Sequence, residues 1–222
     1  MSLPKAVLFD AGGTLVTMHP GPFGDVVEPI LGERPDPDRM LDAHYQAMAA
    51  IGADLPLLEQ GPAVWWPWWL AQYLQLSGLP PHPAAVAELA ATHGLWRLPL
   101  PGSLEGVRSV ADAGCRVGVV SNADGHVRDD LEAAGFGGLF EVIIDSTAVG
   151  VSKPDPAIFD HALEALEVEA SETWYVGDSL LFDLGGAEAA GLAEFVLVDP
   201  VGLHGGYSPR VGQLTELVDL MG

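Results

Sequence analysis

Five short runs of apolar, largely β-branched residues recur along the chain: AVLF before Asp10, RVGVV before Ser121, EVIID at 141–145, TWYVG before Asp178 and EFVLVD at 194–199. They are near-continuous rather than alternating, the pattern of strands in a parallel sheet covered on both faces. Helical stretches fall between them: SLEGVRSVADAG ends at Gly114, HVRDDLEAAG at Gly135 and LLFDLGGAEAAG at Gly191, and PAIFDHALEALE starts behind Asp155 and Pro156. Proline just inside a helix start and glycine just past its end are the expected punctuation. The alternation predicts an α/β fold, a Rossmann-like doubly wound parallel sheet whose functional residues sit at the carboxyl ends of the strands.

Residues 19–97 break the alternation. They hold helical candidates, DRMLDAHYQAMAAIG, PWWLAQYLQLSG and PAAVAELAATHG, and no strand. The pattern predicts a mainly helical domain inserted after the first strand, so that 1–18 and 98–222 form the core domain, with the turn-rich HPGPFG and PLPG marking the edges. Within the insert, WWPWW at 65–69 places four indoles around Pro67. Proline fits the first turn of a helix and disrupts later positions, so a helix is expected to begin there. The indoles are expected chiefly to fill the insert's own core or its seam with the sheet, ahead of a substrate-facing or dimer-forming role. The last stretch, VGQLTELVDLMG, reads as a closing helix.

Charge narrows the partners. With 31 acidic against 9 basic side chains in 222 residues, the net charge of −22 repels nucleic acid and anionic membrane surfaces. A phosphorylated substrate would need concentrated local positive charge, most simply a divalent metal and a well-placed lysine. Cys115 is the single cysteine and reads as a small core residue; a reducing cytoplasmic location is expected. No apolar window is long enough for a membrane span.

Chemistry gathers at four strand ends. In order they carry Asp10 with Thr14, Ser121 with Asn122, Lys153 in SKPDP, and Asp178 with Asp183 in GDSLLFD. Asp10 alone would serve as readily to cap a backbone amide. The four together resemble the motifs of the haloacid dehalogenase superfamily, in the phosphatase-like subgroup with an α-helical cap inserted after the first strand. The resemblance implies Asp10 as nucleophile, forming an aspartyl-phosphate. It implies Thr14, Ser121, Asn122 and Lys153 around the phosphate, with Lys153 also catalytic, and Mg²⁺ held by Asp10, Asp178 and the main-chain carbonyl of Gly12. Asp183 is expected either to act on the metal through a water or to serve as a first-turn helix acid. Lys5 and Lys153 are the two lysines of the chain, which argues against an incidental surface charge at 153.

Position 12 departs from the family pattern, which places a second aspartate there as general acid and base. Such help is worth about 10² to 10⁴ in rate, and glycine cannot give it. One reading is a Mg²⁺-dependent phosphatase of small metabolites that is slow, selective for good leaving groups, or assisted by His19 or His44. A second is a haloacid dehalogenase, with Arg34 or Arg39 as the cap arginine; GDSLLFD argues for a metal and against it. A third is a weakly catalytic phosphate- and metal-binding regulator. On the first reading, Gly12→Asp is expected to restore turnover of alkyl phosphates. Substrate and oligomeric state are not encoded in any motif of the chain.

Overall fold

A computed structural model describes residues 3–222. It divides into two compact units: one runs to Thr17 and resumes as Trp96–Gly222, and the other is Met18–Leu95.

The first unit opens with β1 (Ala6–Phe9) and the short β2 (Val16–Thr17). The second unit contains α1 (Pro20–Leu31), α2 (Pro37–Gly52), α3 (Leu55–Leu58), α4 (Pro62–Leu76) and α5 (Pro83–Ala91). The chain then returns through β3 (Leu98–Pro99), α6 (Ser103–Asp112), β4 (Arg116–Ser121), α7 (Val127–Leu131) and β5 (Val142–Asp145). It ends with α8 (Ser146–Val149), α9 (Ala157–Ala165), β6 (Thr173–Gly177), α10 (Gly185–Ala189), β7 (Glu194–Val198), β8 (Arg210–Val211) and α11 (Leu217–Met221).

Six strands form one sheet in the order β5-β4-β1-β6-β7-β8, parallel throughout. Counted along the chain this is the doubly wound order 3-2-1-4-5-6, which reverses between β1 and β6 and opens a crevice beyond their carboxyl ends. The period of two divides the strand residues between two buried layers. Val7, Phe9, Val119, Val176 and Val196 face a layer with Val107, Val110, Leu131 and Leu217 of the helices. Ala6, Leu8, Val120, Tyr175 and Phe195 face the other, with Ile158, Phe159 and Ala162 of α9. Cys115 is buried, its thiol donating to the Pro4 carbonyl at 3.2 Å.

The helical unit is organised around Trp69. Its indole stacks on Trp66 and on Tyr73, each with ring centroids 5.1 Å apart, and His44 meets it edge-on at 5.6 Å. Tyr73 in turn takes Phe23 edge-on. Trp69 and Tyr73 are fully buried, whereas Trp65, Trp66 and Trp68 are half-buried. None of the described helices is long and apolar enough to cross a membrane.

Several local expectations change. HPGPFG is the start of α1 rather than a turn: Pro20 is its first residue, and the His19 imidazole accepts from the Gly21 amide at 3.1 Å. Pro67 lies inside α4, which begins five residues earlier at Pro62. The packing of Trp69, Leu70, Tyr73 and Leu74 holds that helix together across the missing N–H. LLFDLGGAEAAG forms one helical run as expected, but its first turn, Leu180–Leu184, is wider than an α-helix and leads directly into α10. HVRDDLEAAG, by contrast, ends where expected: the helical run that starts at Val127 in α7 continues in a wider turn and stops at Gly135, which has φ 93°. The two-residue strands β2, β3 and β8 are too short for any periodicity to announce them.

Gly118 leaves no room for a side chain, because a Cβ there would lie 2.7 Å from Val142 Cγ1 and 2.9 Å from Leu8 Cδ2. Gly118→Ala is therefore expected to destabilise the fold by about 1–3 kcal/mol, the usual range for overpacking, read as a lower urea midpoint at unchanged m-value.

Candidate active site

Asp10 is the first residue beyond β1, and its amide donates to the Val176 carbonyl of β6 at 2.8 Å. Asp178 is the first residue beyond β6. The sheet thus delivers two carboxylates side by side at its reversal point. After Asp10 the chain turns tightly: the Ala11 carbonyl accepts from Leu15 at 2.8 Å and Val16 at 3.0 Å, and Gly13 has φ 84°, a left-handed conformation suited to glycine.

Lys153 reaches this point from the loop after α8. The Asn122 side chain clamps its backbone, Oδ1 accepting from the Lys153 amide at 2.8 Å and Nδ2 donating to the Lys153 carbonyl at 2.9 Å. The Lys153 ammonium, 3% exposed, donates to Asp10 Oδ1 at 2.6 Å, Asp183 Oδ1 at 2.7 Å and the Tyr175 hydroxyl at 2.8 Å. An ammonium has three N–H groups, and all are used. The Tyr175 hydroxyl donates its own proton to the Val120 carbonyl at 2.7 Å, which turns a lone pair toward Lys153.

Asp183 sits in the wide turn after Asp178, and its Oδ2 accepts from the Ser179 amide at 2.9 Å. A Cβ at position 177 would collide with this carboxylate, so Gly177 is the residue that lets it approach. Both Asp183 oxygens are thereby engaged by protein donors, one of them the Lys153 ammonium.

The charges are unbalanced. Burial pulls the Lys153 pKa down, but Asp10 and Asp183 more than offset it, so the group stays an ammonium. Burial pushes Asp10 up while Lys153 pulls it back, and Asp178 adds to the rise. Asp183 is pushed up to about 7, first by burial and then by the other two carboxylates. Asp10, Asp178 and Asp183 are all buried and offer oxygen atoms within 4.8 Å of one another. Three carboxylates against one ammonium leave surplus negative charge in a low dielectric, and their hard oxygens fit a divalent cation.

The remaining sequence candidates divide. Thr14 and Ser121 are buried at the same strand ends, and Thr14 Oγ1 has no hydrogen-bond partner in the structure. His19 caps α1 and His44 is packed among rings of the helical unit. Arg34 is an exposed residue whose guanidinium is bonded to Asp25 and Glu28. Gly12 abuts Trp96: a Cβ at position 12 would stand 3.1 and 3.2 Å from two carbons of that indole. The expected rescue by Gly12→Asp therefore meets a steric limit, since an aspartate fits only if Trp96 moves.

Tyr175 and Trp96 escape sequence reading. A tyrosine inside an apolar strand near Asp178 is a faint signal, because a buried hydroxyl demands a partner. Trp96 has none, since only the β2–β3 pairing brings it to Gly12.

Residues 4–191 match the family described as haloacid dehalogenase-like hydrolase. A bovine haloacid dehalogenase-like hydrolase domain-containing protein 3 is 36% identical over 47% of this chain and 41% of its own length, so the chain spans less than half of that relative. A phosphoglycolate phosphatase of Rhodospirillum rubrum is 31% identical over 88% of the chain and 80% of its own. Among solved structures, an HAD phosphatase from Thermococcus onnurineus superimposes with a TM-score of 0.63 at 25% identity, covering 98% of each chain.

Tyr175→Phe keeps the ring but leaves one buried ammonium N–H without its acceptor. A loss of about 1–3 kcal/mol in denaturant unfolding is expected, and an unchanged midpoint would show that the hydroxyl does not hold Lys153.

Proposed function

We propose a phosphomonoester hydrolase for this chain, which belongs to the haloacid dehalogenase-like hydrolases. The observation that carries the reading is the Lys153 ammonium bonded at once to Asp10 and Asp183 with Asp178 alongside, a buried cationic and carboxylate centre at the reversal point of the sheet. The relative named as a phosphoglycolate phosphatase supports a small phosphorylated substrate.

In this reading Asp10 attacks phosphorus. A bond forms between its carboxylate oxygen and phosphorus while the bond to the leaving oxygen breaks; water then hydrolyses the aspartyl-phosphate, releasing inorganic phosphate and regenerating Asp10. Lys153 shields the nucleophile from the phosphoryl charge as they approach, and its three-point anchorage places that charge in advance of reaction. Thr14, Ser121 and the Asn122 amide bind phosphoryl oxygens, with the Asn122 side chain holding the lysine loop. Asp10, Asp178 and the Gly12 carbonyl would hold Mg²⁺, with Asp183 acting through a water; the ion supplies neutralisation of phosphoryl charge. Gly12 offers the leaving oxygen no proton, so a leaving group must depart as a stable anion or take its proton from water.

The haloacid-directed reading fits less well. It makes no use of the surplus carboxylate charge as a metal site, and Arg34, one of the two candidate cap arginines, is bonded to Asp25 and Glu28 on the surface.

Hydrolysis of p-nitrophenyl phosphate is expected with Mg²⁺ and not with EDTA, to be lost in Asp10→Asn, and to fall steeply across substrates as the leaving-group pKa rises. Turnover of chloroacetate in its place would establish a dehalogenase, and turnover of neither would favour a binding protein. Independently of activity, Mg²⁺ is expected to raise the melting temperature of the wild type and to lose that effect in Asp178→Asn. An equal shift in both proteins would remove Asp178 from the metal site.

A further inference from the structure

The residue after the helical unit stands where a side chain at position 12 would go. Three consecutive carbons of the Trp96 six-membered ring, Cε3, Cζ3 and Cη2, lie 3.2, 3.1 and 3.5 Å from the place a Cβ on Gly12 would take. The approach is built into the α/β unit. β2 pairs antiparallel with β3, setting Thr17 against Leu98 and Val16 against Pro99, and the Leu100 amide donates to the Leu15 carbonyl at 2.9 Å. Gly12 itself bridges to Val16, and the Gly13 amide donates to the Val16 carbonyl at 2.8 Å. Trp96 packs on the core layer that contains Phe9, Ala11, Leu15 and Val16, yet remains half-buried. Next to it, Arg97 Nε donates to the buried Asp130 carboxylate of α7 at 2.7 Å and ties the start of β3 to that helix. Loop and ring are therefore held in register by the same ribbon.

We propose that Trp96 is the specificity-determining residue for the leaving group: it replaces the position-12 carboxylate with an aromatic wall that favours flat aryl groups on the phosphate. The proposal rests on the phosphatase reading and deepens it. Two constraints agree. Without a proton donor at position 12 the chemistry favours leaving groups that are stable as anions, and aryloxides are such groups. A half-buried indole supplies what a flat ring prefers, an offset or edge-on aromatic partner.

Binding of non-hydrolysable phosphonates separates this inference from the reaction it rests on. Phenylphosphonate and cyclohexylphosphonate carry rings of similar size, one flat and aromatic and one puckered. Calorimetry on the wild-type chain with Mg²⁺ is expected to show about threefold to tenfold tighter binding of phenylphosphonate. That preference should vanish in both Trp96→Leu and Trp96→Ala while cyclohexylphosphonate affinity stays within about twofold. In turnover, the Trp96 variants should raise KM for an aryl phosphate and leave KM unchanged for a fluoroalkyl phosphate of matched leaving-group pKa. Equal affinity of the wild type for the two phosphonates overturns the proposal without needing any variant, and so does an equal loss of both on substitution, which is the signature of a purely structural residue. A phenyl preference that depends on Trp96 in a protein that hydrolyses no phosphate would instead sink the phosphatase reading and leave the aromatic wall standing.

Discussion

The Lys153 ammonium is the point on which the site depends. A buried cation is tolerated only when its N–H groups are satisfied and its charge is matched. Here Asp10, Asp183 and Tyr175 take one N–H each. That single requirement reaches across the unit: Asp10 comes from β1, Tyr175 from β6, Asp183 from the wide turn beyond it, and the lysine's own backbone is gripped by Asn122 at the end of β4. Even the absence of a side chain at Gly177 belongs to the same arrangement, because the Asp183 carboxylate occupies its place. The proton direction is equally determined. An ammonium can only donate, so the Tyr175 hydroxyl accepts from Lys153 and offers its own proton to the Val120 carbonyl at 2.7 Å, nearer than Asp183 Oδ1 at 3.3 Å.

The sheet order supplies the geometry that makes such convergence possible. β1 lies between β4 and β6, so the three strands ending in Asp10, Ser121 and Asp178 are adjacent although they are far apart along the chain. Parallel pairing puts all three ends on one edge, and the reversal of winding between β1 and β6 keeps helices from covering it. Apolar packing on both faces fixes the register, since a slip of one residue would turn Phe9 and Val176 from one layer toward the other.

The same packing explains what could be read in advance. The five long strands announce themselves because each is buried on both faces and must be almost wholly apolar; Asp10 and Asp178 stand out as charges at strand ends, and Lys153 and Asp183 as charges in the connections beyond β5 and β6. The features that escaped are those whose cause lies elsewhere in the chain. Pro67 looks like a helix start when judged by its own backbone, and only the Trp66–Trp69–Tyr73 stack shows why a helix runs through it. Asp183 lies in the first turn of its helical segment as the sequence suggests, but the hydrogen bonds that Lys153 and Ser179 give its oxygens come from residues no local pattern links to it. β2 and β3 have two residues each, too few for a period, yet they carry Trp96 to Gly12.

Charge and position 12 pull the chemistry in one direction. With a net charge of −22 the protein repels a phosphorylated molecule at long range, but ionic screening confines that field to about 8 Å at physiological salt. On the proposed phosphatase reading, capture would therefore be local, through Lys153, the strand-end donors and a cation drawn by the surplus carboxylate charge. The part of the substrate beyond phosphorus gains nothing from further anionic groups in such surroundings. It gains most from apolar contact, and at position 12 the chain presents an indole rather than a carboxylate. On the proposed reading, the lack of a proton donor at position 12 and the aromatic surface beside it meet in one steric fact: a Cβ on Gly12 would press on the Trp96 ring.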